Sequence, residues 1–179
     1  MARKTLPPEQ LSADTGHLTQ ALNEGTDLAC ALIGAAAIEQ ALGSLLEKYL
    51  LAGGTTERLL DPNGILGTFS ARTDMAYCLG LISKKILHNA KLIGQIRNEF
   101  AHSHLSVNFT TKSIADLCKK LTVMELPKPK DEKRHQLNEL FDRSTRSRFS
   151  FVVTMIRSRL LLTALATEHR ESNNTPDAL

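Results

Sequence analysis

The sequence predicts an all-α protein, a single-domain bundle of six to seven helices. Aromatic residues make up only 4% and Trp is absent, while Leu and Ala are abundant, which is the reverse of what strand-rich domains use. Apolar residues recur at spacings of three, four and seven, with no alternating stretch of useful length. Hydrophobic residues reach 42% and charged residues 23% of the 179, which supports a core without disulfide staples and argues against disorder.

Residues 1–7 read as a flexible arm, 8–170 as the helical domain and 171–179 as a polar tail. A first helix over 8–23 carries Leu11, Leu18 and Leu22 at helical spacing. Thr26 or Asp27 caps a second over 28–51. Its Gly34-Ala35-Ala36-Ala37 segment is small on every side, so another helix can approach closely, and Ile38, Leu42, Leu45 and Leu46 continue its apolar face. Gly53-Gly54 ends it, and residues 55–67, with the turn signal Asp61-Pro62-Asn63-Gly64, form a connector.

Ser70 caps a helix to about residue 82 that turns Ala71, Met75, Cys78, Leu79 and Ile82 inward. The next, over 85–102, has the core stripe Ile86, Ile93, Ile96 and Phe100, widened by Leu92. Residues 110–122 form a further helix, 127–133 a charged, Pro-containing surface loop, and 144–169 a long final helix. That last helix carries Phe149, Val152, Val153, Ile156, Leu160, Leu161 and Leu165.

The longest apolar run, residues 28–38, is about 11 residues where a membrane span needs roughly 20, so no membrane is expected as a partner. The charged, proline-containing start has no apolar targeting segment. Cys30, Cys78 and Cys118 are distant, odd in number and set among apolar neighbours, so all three are expected to be buried thiols in a cytoplasmic protein. His102-Ser103-His104 lacks a carboxylate at metal-binding spacing, and no glycine-rich phosphate loop is present, so no metal and no cofactor is expected.

The densest cluster of polar residues is Arg97-Asn98-Glu99-Phe100-Ala101-His102, at the end of a helix otherwise committed to the core. Asn98 and His102 share a face, whereas Arg97 and His102, five apart and about 140° round the helix, converge only if it ends or bends near Ala101. Glu39 and Asp74 are carboxylates set in apolar stretches and need partners. Arg72 or Arg97 fits, giving a buried ion pair of Glu39, Arg72, Asp74 and Arg97 that ties three helices. The competing reading is an Arg/His site for a phosphate backbone, in which Arg97, Asn98 and His102 serve RNA cleavage.

Ala76, Gly80 and Ile86 have helix-turn-helix spacing, with Lys84, Lys85 and His88 near the groove, but Asn89 falls where that motif prefers an apolar residue. An ordinary αα-hairpin is the simpler expectation. Arg143, Arg146, Arg148, Arg157 and Arg159, with Lys128, Lys130, Lys133 and Arg134 upstream, form the best candidate nucleic-acid-binding surface, with a solvated helix face as the default reading. The net charge of +3 neither requires nor excludes such a partner.

The segment from Gly67-Thr68-Phe69-Ser70-Ala71-Arg72 through Ala76-Tyr77-Cys78-Leu79-Gly80-Leu81-Ile82, followed by Ile96-Arg97-Asn98-Glu99-Phe100-Ala101-His102, resembles the mannitol operon repressor (MtlR/MltR-like) family. That family pairs an F-S-x-R-x-x-x-A-Y-x-L-G-x-I element with a downstream I-R-N-x-F-A-H element. The resemblance implies an all-helical cytoplasmic regulator, non-enzymatic, acting through DNA or a regulatory protein. Arg97 to His102 also resembles the R-x4-6-H pattern of HEPN domains, which implies RNA as the alternative partner and a ribonuclease or RNA-binding role. A small helical domain with an apolar face left over is also expected to form homo-oligomers.

Overall fold

The computed structural model describes residue 10 and residues 15–102, 107–122 and 141–168. These contain seven helices and no strand: α1 (Thr15–Glu24), α2 (Asp27–Tyr49), α3 (Gly54–Leu60), α4 (Phe69–Cys78), α5 (Lys84–His102), α6 (Lys112–Lys119) and α7 (Thr145–Ala166). The expected all-α bundle is therefore what forms.

Helix α2 is the hub, touching α1, α3, α4, α5 and α7. Thr26 is its N-cap, and the Ala29 N–H donates to Thr26 Oγ1 at 3.1 Å. Its most extensive partner is α7, and the two run parallel: Asp27 meets Arg146, Cys30 meets Ser150, and Gly34 meets Phe149 and Val153. A Cβ added to Gly34 would lie 3.0 Å from Phe149 Cε1, so the small-residue segment permits this contact. Ile38, Leu42, Leu45 and Leu46 are fully buried, as are Ile93 and Ile96 of α5. Phe109 leads into α6 and bridges Phe100 and Phe149, with ring centroids 5.1 and 5.2 Å away.

By length and composition, α2 and α7 each pass as a membrane span, with mean hydropathy of 1.6 and 1.5. In the bundle, 56% and 44% of those windows are buried inside the protein, so helix–helix contact accounts for much of that hydropathy.

Several expectations need correction. The connector contains α3, and α2 ends at Tyr49 with Leu50 as its C-cap, ahead of Gly53-Gly54. Thr68, not Ser70, caps α4, because its Oγ1 accepts from the Ala71 N–H at 3.2 Å. The buried face of α4 is Phe69, Arg72, Thr73 and Ala76, a partial rotation of the expected set: Ile82 is buried as expected, Ala71, Met75 and Leu79 are partly buried against the core, and Cys78 is exposed. The rotation follows from Arg72, whose side chain finds its acceptors only on the inner side. Leu165, expected in the core, is exposed on α7. The arm, the 127–133 loop and the tail lie outside the described residues.

Candidate functional site

The expected carboxylate clamp does not form. Arg72 is buried and donates from Nε to the Leu66 carbonyl at 2.8 Å, from Nη2 to the Leu60 carbonyl at 2.8 Å, and from Nη1 to the Glu39 carbonyl at 3.3 Å. It thus binds the backbone of Glu39, not its carboxylate. Three carbonyl dipoles compensate the guanidinium without burying a second charge. Asp74 instead meets Lys91 at 3.0 Å on the surface.

Arg97 is half-buried, with no carboxylate within ion-pair distance among the described residues. With Asn98 it lines a cleft of about 390 Å³ between the start of α4 and the middle of α5, opposite Thr68 and Ser70 and beside Lys91. Both halves of the double motif therefore meet in one cleft. His102, the last residue of α5, is exposed and does not line it. His104 lies outside the described residues, and among those described no group of His, Cys, Asp or Glu is arranged to hold a metal.

The turn between α4 and α5 is an αα-hairpin. Gly80 sits at φ +72°, where the Gly80 N–H donates to the Tyr77 carbonyl and the Leu81 N–H to the Ala76 carbonyl, each at 2.9 Å. Asn89 is fully buried; its Nδ2 donates to the Thr122 carbonyl at 2.8 Å and its Oδ1 accepts from the Thr122 N–H at 3.1 Å. The residue that broke the helix-turn-helix pattern is thus the staple joining α5 to the end of α6.

The arginine row of α7 does not form one basic face. Arg146 meets Asp27 at 2.9 Å and donates to the carbonyls of Leu22, Asn23 and Gly25, closing the C-terminal end of α1. Arg157 is buried and donates to Thr15 Oγ1 at 3.1 Å. Arg148 pairs with Asp142, donates to the Lys119 carbonyl and stacks on Phe141, 4.3 Å from the ring centroid. Only Arg143 and Arg159 of the five are exposed, Arg143 in the bend before α7 and Arg159 in the second half of the helix. The physical reason is local: arginines interleaved with a core stripe reach the neighbouring helix ends before they reach water.

Asp27 is the residue that sequence reasoning undervalued. Its Oδ2 accepts from the Phe109 N–H at 2.9 Å while Oδ1 holds Arg146, so one carboxylate gathers α2, the approach to α6, and α7. Its signal, an acid at a helix start, is common to many caps. Two thiols are affected by burial. Cys118 is pushed up to about 12, and Cys30 is also raised, chiefly by desolvation, although its contact with Ser150 opposes the shift.

A family model described as MtlR, mannitol repressor, matches residues 21–170. The solved structure titled as the MtlR–HPr complex from Escherichia coli is similar, with a TM-score of 0.63 and 22% identity over 83% of this chain and 98% of that one. At that identity the likeness shows the shared fold. No curated protein matched the chain.

Proposed function

This chain belongs to the mannitol repressor family and is a regulator of that type; from that premise we propose that it acts through a protein partner. The observation that carries this is the internal commitment of Arg146, Arg148 and Arg157. A protein that binds DNA by itself draws on several phosphate contacts from one face, and the α7 row offers too few. The similar Escherichia coli structure is a complex with HPr, so HPr is the partner to test first. Titration calorimetry of the intact chain with purified HPr is expected to show saturable binding. A mannitol-operon promoter fragment is expected to shift weakly or not at all without the partner. A tight shift by the chain alone, falling steeply with salt, would overturn the proposal in favour of direct DNA contact.

The RNA reading has one observation in its favour, Arg97 and Asn98 open to a shared cleft. RNA cleavage by the wild type and His102→Ala at equal rates removes a catalytic His102. We also propose that more than one copy assembles, and light scattering on the intact chain reads that state directly.

A further inference from the structure

A second cleft, of about 510 Å³, lies between α1 and α7, a volume suited to a small molecule. We propose that it binds a phosphorylated polyol, as an effector of the regulator. This rests on the family reading above for its biological sense, but its chemistry is in the lining.

On the α7 side, Ser147, Ser150 and Thr154 stand at steps of three and four along one strip, and Arg143 joins the lining from the bend just before the helix. The α1 side presents Thr19 and Asn23, one turn apart. Among the described residues no carboxylate lines the cleft, and Leu22 and Phe151 supply apolar surface. The hydroxyl protons of Thr19 and Thr154 are already donated to the Thr15 and Ser150 carbonyls at 2.9 Å. Both oxygens therefore offer lone pairs to a ligand. Asn23 adds an amide, with donors and an acceptor, that has no side-chain partner among the described residues. A row of neutral acceptors beside an amide suits a chain of hydroxyls, each of which both donates and accepts.

The charge balance sets the rest of the ligand. Arg146 is held by Asp27 and three carbonyls, so its charge is answered within the protein. Arg143 is exposed at the mouth with no carboxylate partner among the described residues. One unanswered guanidinium at the end of a neutral polar strip selects a single anionic group at the end of a polyhydroxylated molecule, and its planar fork fits phosphate.

The test is titration calorimetry on the intact chain with mannitol 1-phosphate, mannitol and inorganic phosphate as probes. Mannitol 1-phosphate is expected to bind at least tenfold more tightly than either fragment. Arg143→Gln should weaken it tenfold or more, and Thr154→Val severalfold, while Arg159→Gln, on exposed α7 surface away from the cleft, should leave it unchanged. Undetectable binding, an unchanged affinity in Arg143→Gln, or inorganic phosphate binding as tightly as mannitol 1-phosphate would overturn the proposal. HPr binding, measured without any of the probes, separates the two readings: if it persists while mannitol 1-phosphate fails, only the effector site falls.

Discussion

A buried arginine needs acceptors wherever it can find them, and Arg72 finds the Leu60 and Leu66 carbonyls at helix and loop ends and a third, weaker acceptor in the Glu39 carbonyl within α2. Removing it strands the Leu60 and Leu66 carbonyls. We expect Arg72→Met to lower stability by about 2–6 kcal/mol in urea unfolding, from two buried carbonyls left without a donor at roughly 1–3 kcal/mol each. Arg72→Lys should recover little, since one ammonium cannot span three acceptors on different elements. A lysine variant within about 1 kcal/mol of wild type would show that charge alone, not the fork, is what the site uses. The sequence made Arg72 conspicuous as a charge among apolar neighbours, yet pointed to carboxylates, because backbone acceptors from Leu60 and Leu66 carry no side-chain signature. The thiols show the same limit. Cys78 is exposed whereas Cys30 and Cys118 are buried, so native alkylation should label Cys78 alone. Cys118 also sets a pH dependence. Its folded pKa of about 12 lies above its ordinary 9.0, so the unfolded chain ionises first. The contribution is intact below about pH 9 and is lost as pH rises toward about 12. Cys118→Ala should lose less stability than wild type over that interval in pH-dependent denaturant melts, and parallel curves would contradict this.

At the scale of elements, periodicity located the helices because burial and the helical repeat are the same fact seen twice. Ile86, Ile93, Ile96 and Phe100 are all buried on α5, as their spacing required. Capping residues were less decisive: Ser70 has the same chemistry as Thr68, two residues before it, and it is Thr68 that accepts from the Ala71 N–H. The Gly34 segment was legible as a place of close approach, but which helix approached was not. It is α7, through Phe149. Gly34→Ala gains up to about 1 kcal/mol of helix propensity. It also inserts a methyl 3.0 Å from the fully buried Phe149 ring and 3.2 Å from Val153, which must shift to admit it. Overpacking costs typically 1–3 kcal/mol, so the net effect should be a destabilisation of up to about 2 kcal/mol. Adding Phe149→Leu should cost less in the Gly34→Ala background than in wild type, a coupling that a double-mutant cycle reads. Equal or greater stability of Gly34→Ala would mean that α2 and α7 are not packed in this register.

Across the whole molecule, the chain's two longest helices lie side by side, and the remaining helices are fastened around them by polar contacts at their ends. Asp27 is where these fastenings converge, joining the start of α2, the Phe109 turn and, through Arg146, both α7 and the C-terminal end of α1. Contacts so far apart in the chain leave no local trace, which is why the sequence suggested helices and stripes but not their fastening. A shared carboxylate makes separate segments respond as one unit. Asp27→Ala removes the acceptor of the Phe109 N–H and the counter-charge of Arg146 in a single step, without emptying the apolar core. Hydrogen exchange followed by mass spectrometry should then show protection falling together at the end of α1, around residues 107–111 and in the first turns of α7. The middle of α2, where Ile38, Ala41 and Leu42 are fully buried, should keep its protection. If only the Phe109 turn loosens, Arg146 holds α1 by its carbonyl contacts alone, and the three fastenings are independent. If all three loosen, one carboxylate couples both walls of the α1–α7 cleft, Asn23 from one side and Arg146 and Ser147 from the other, to the turn that leads into α6.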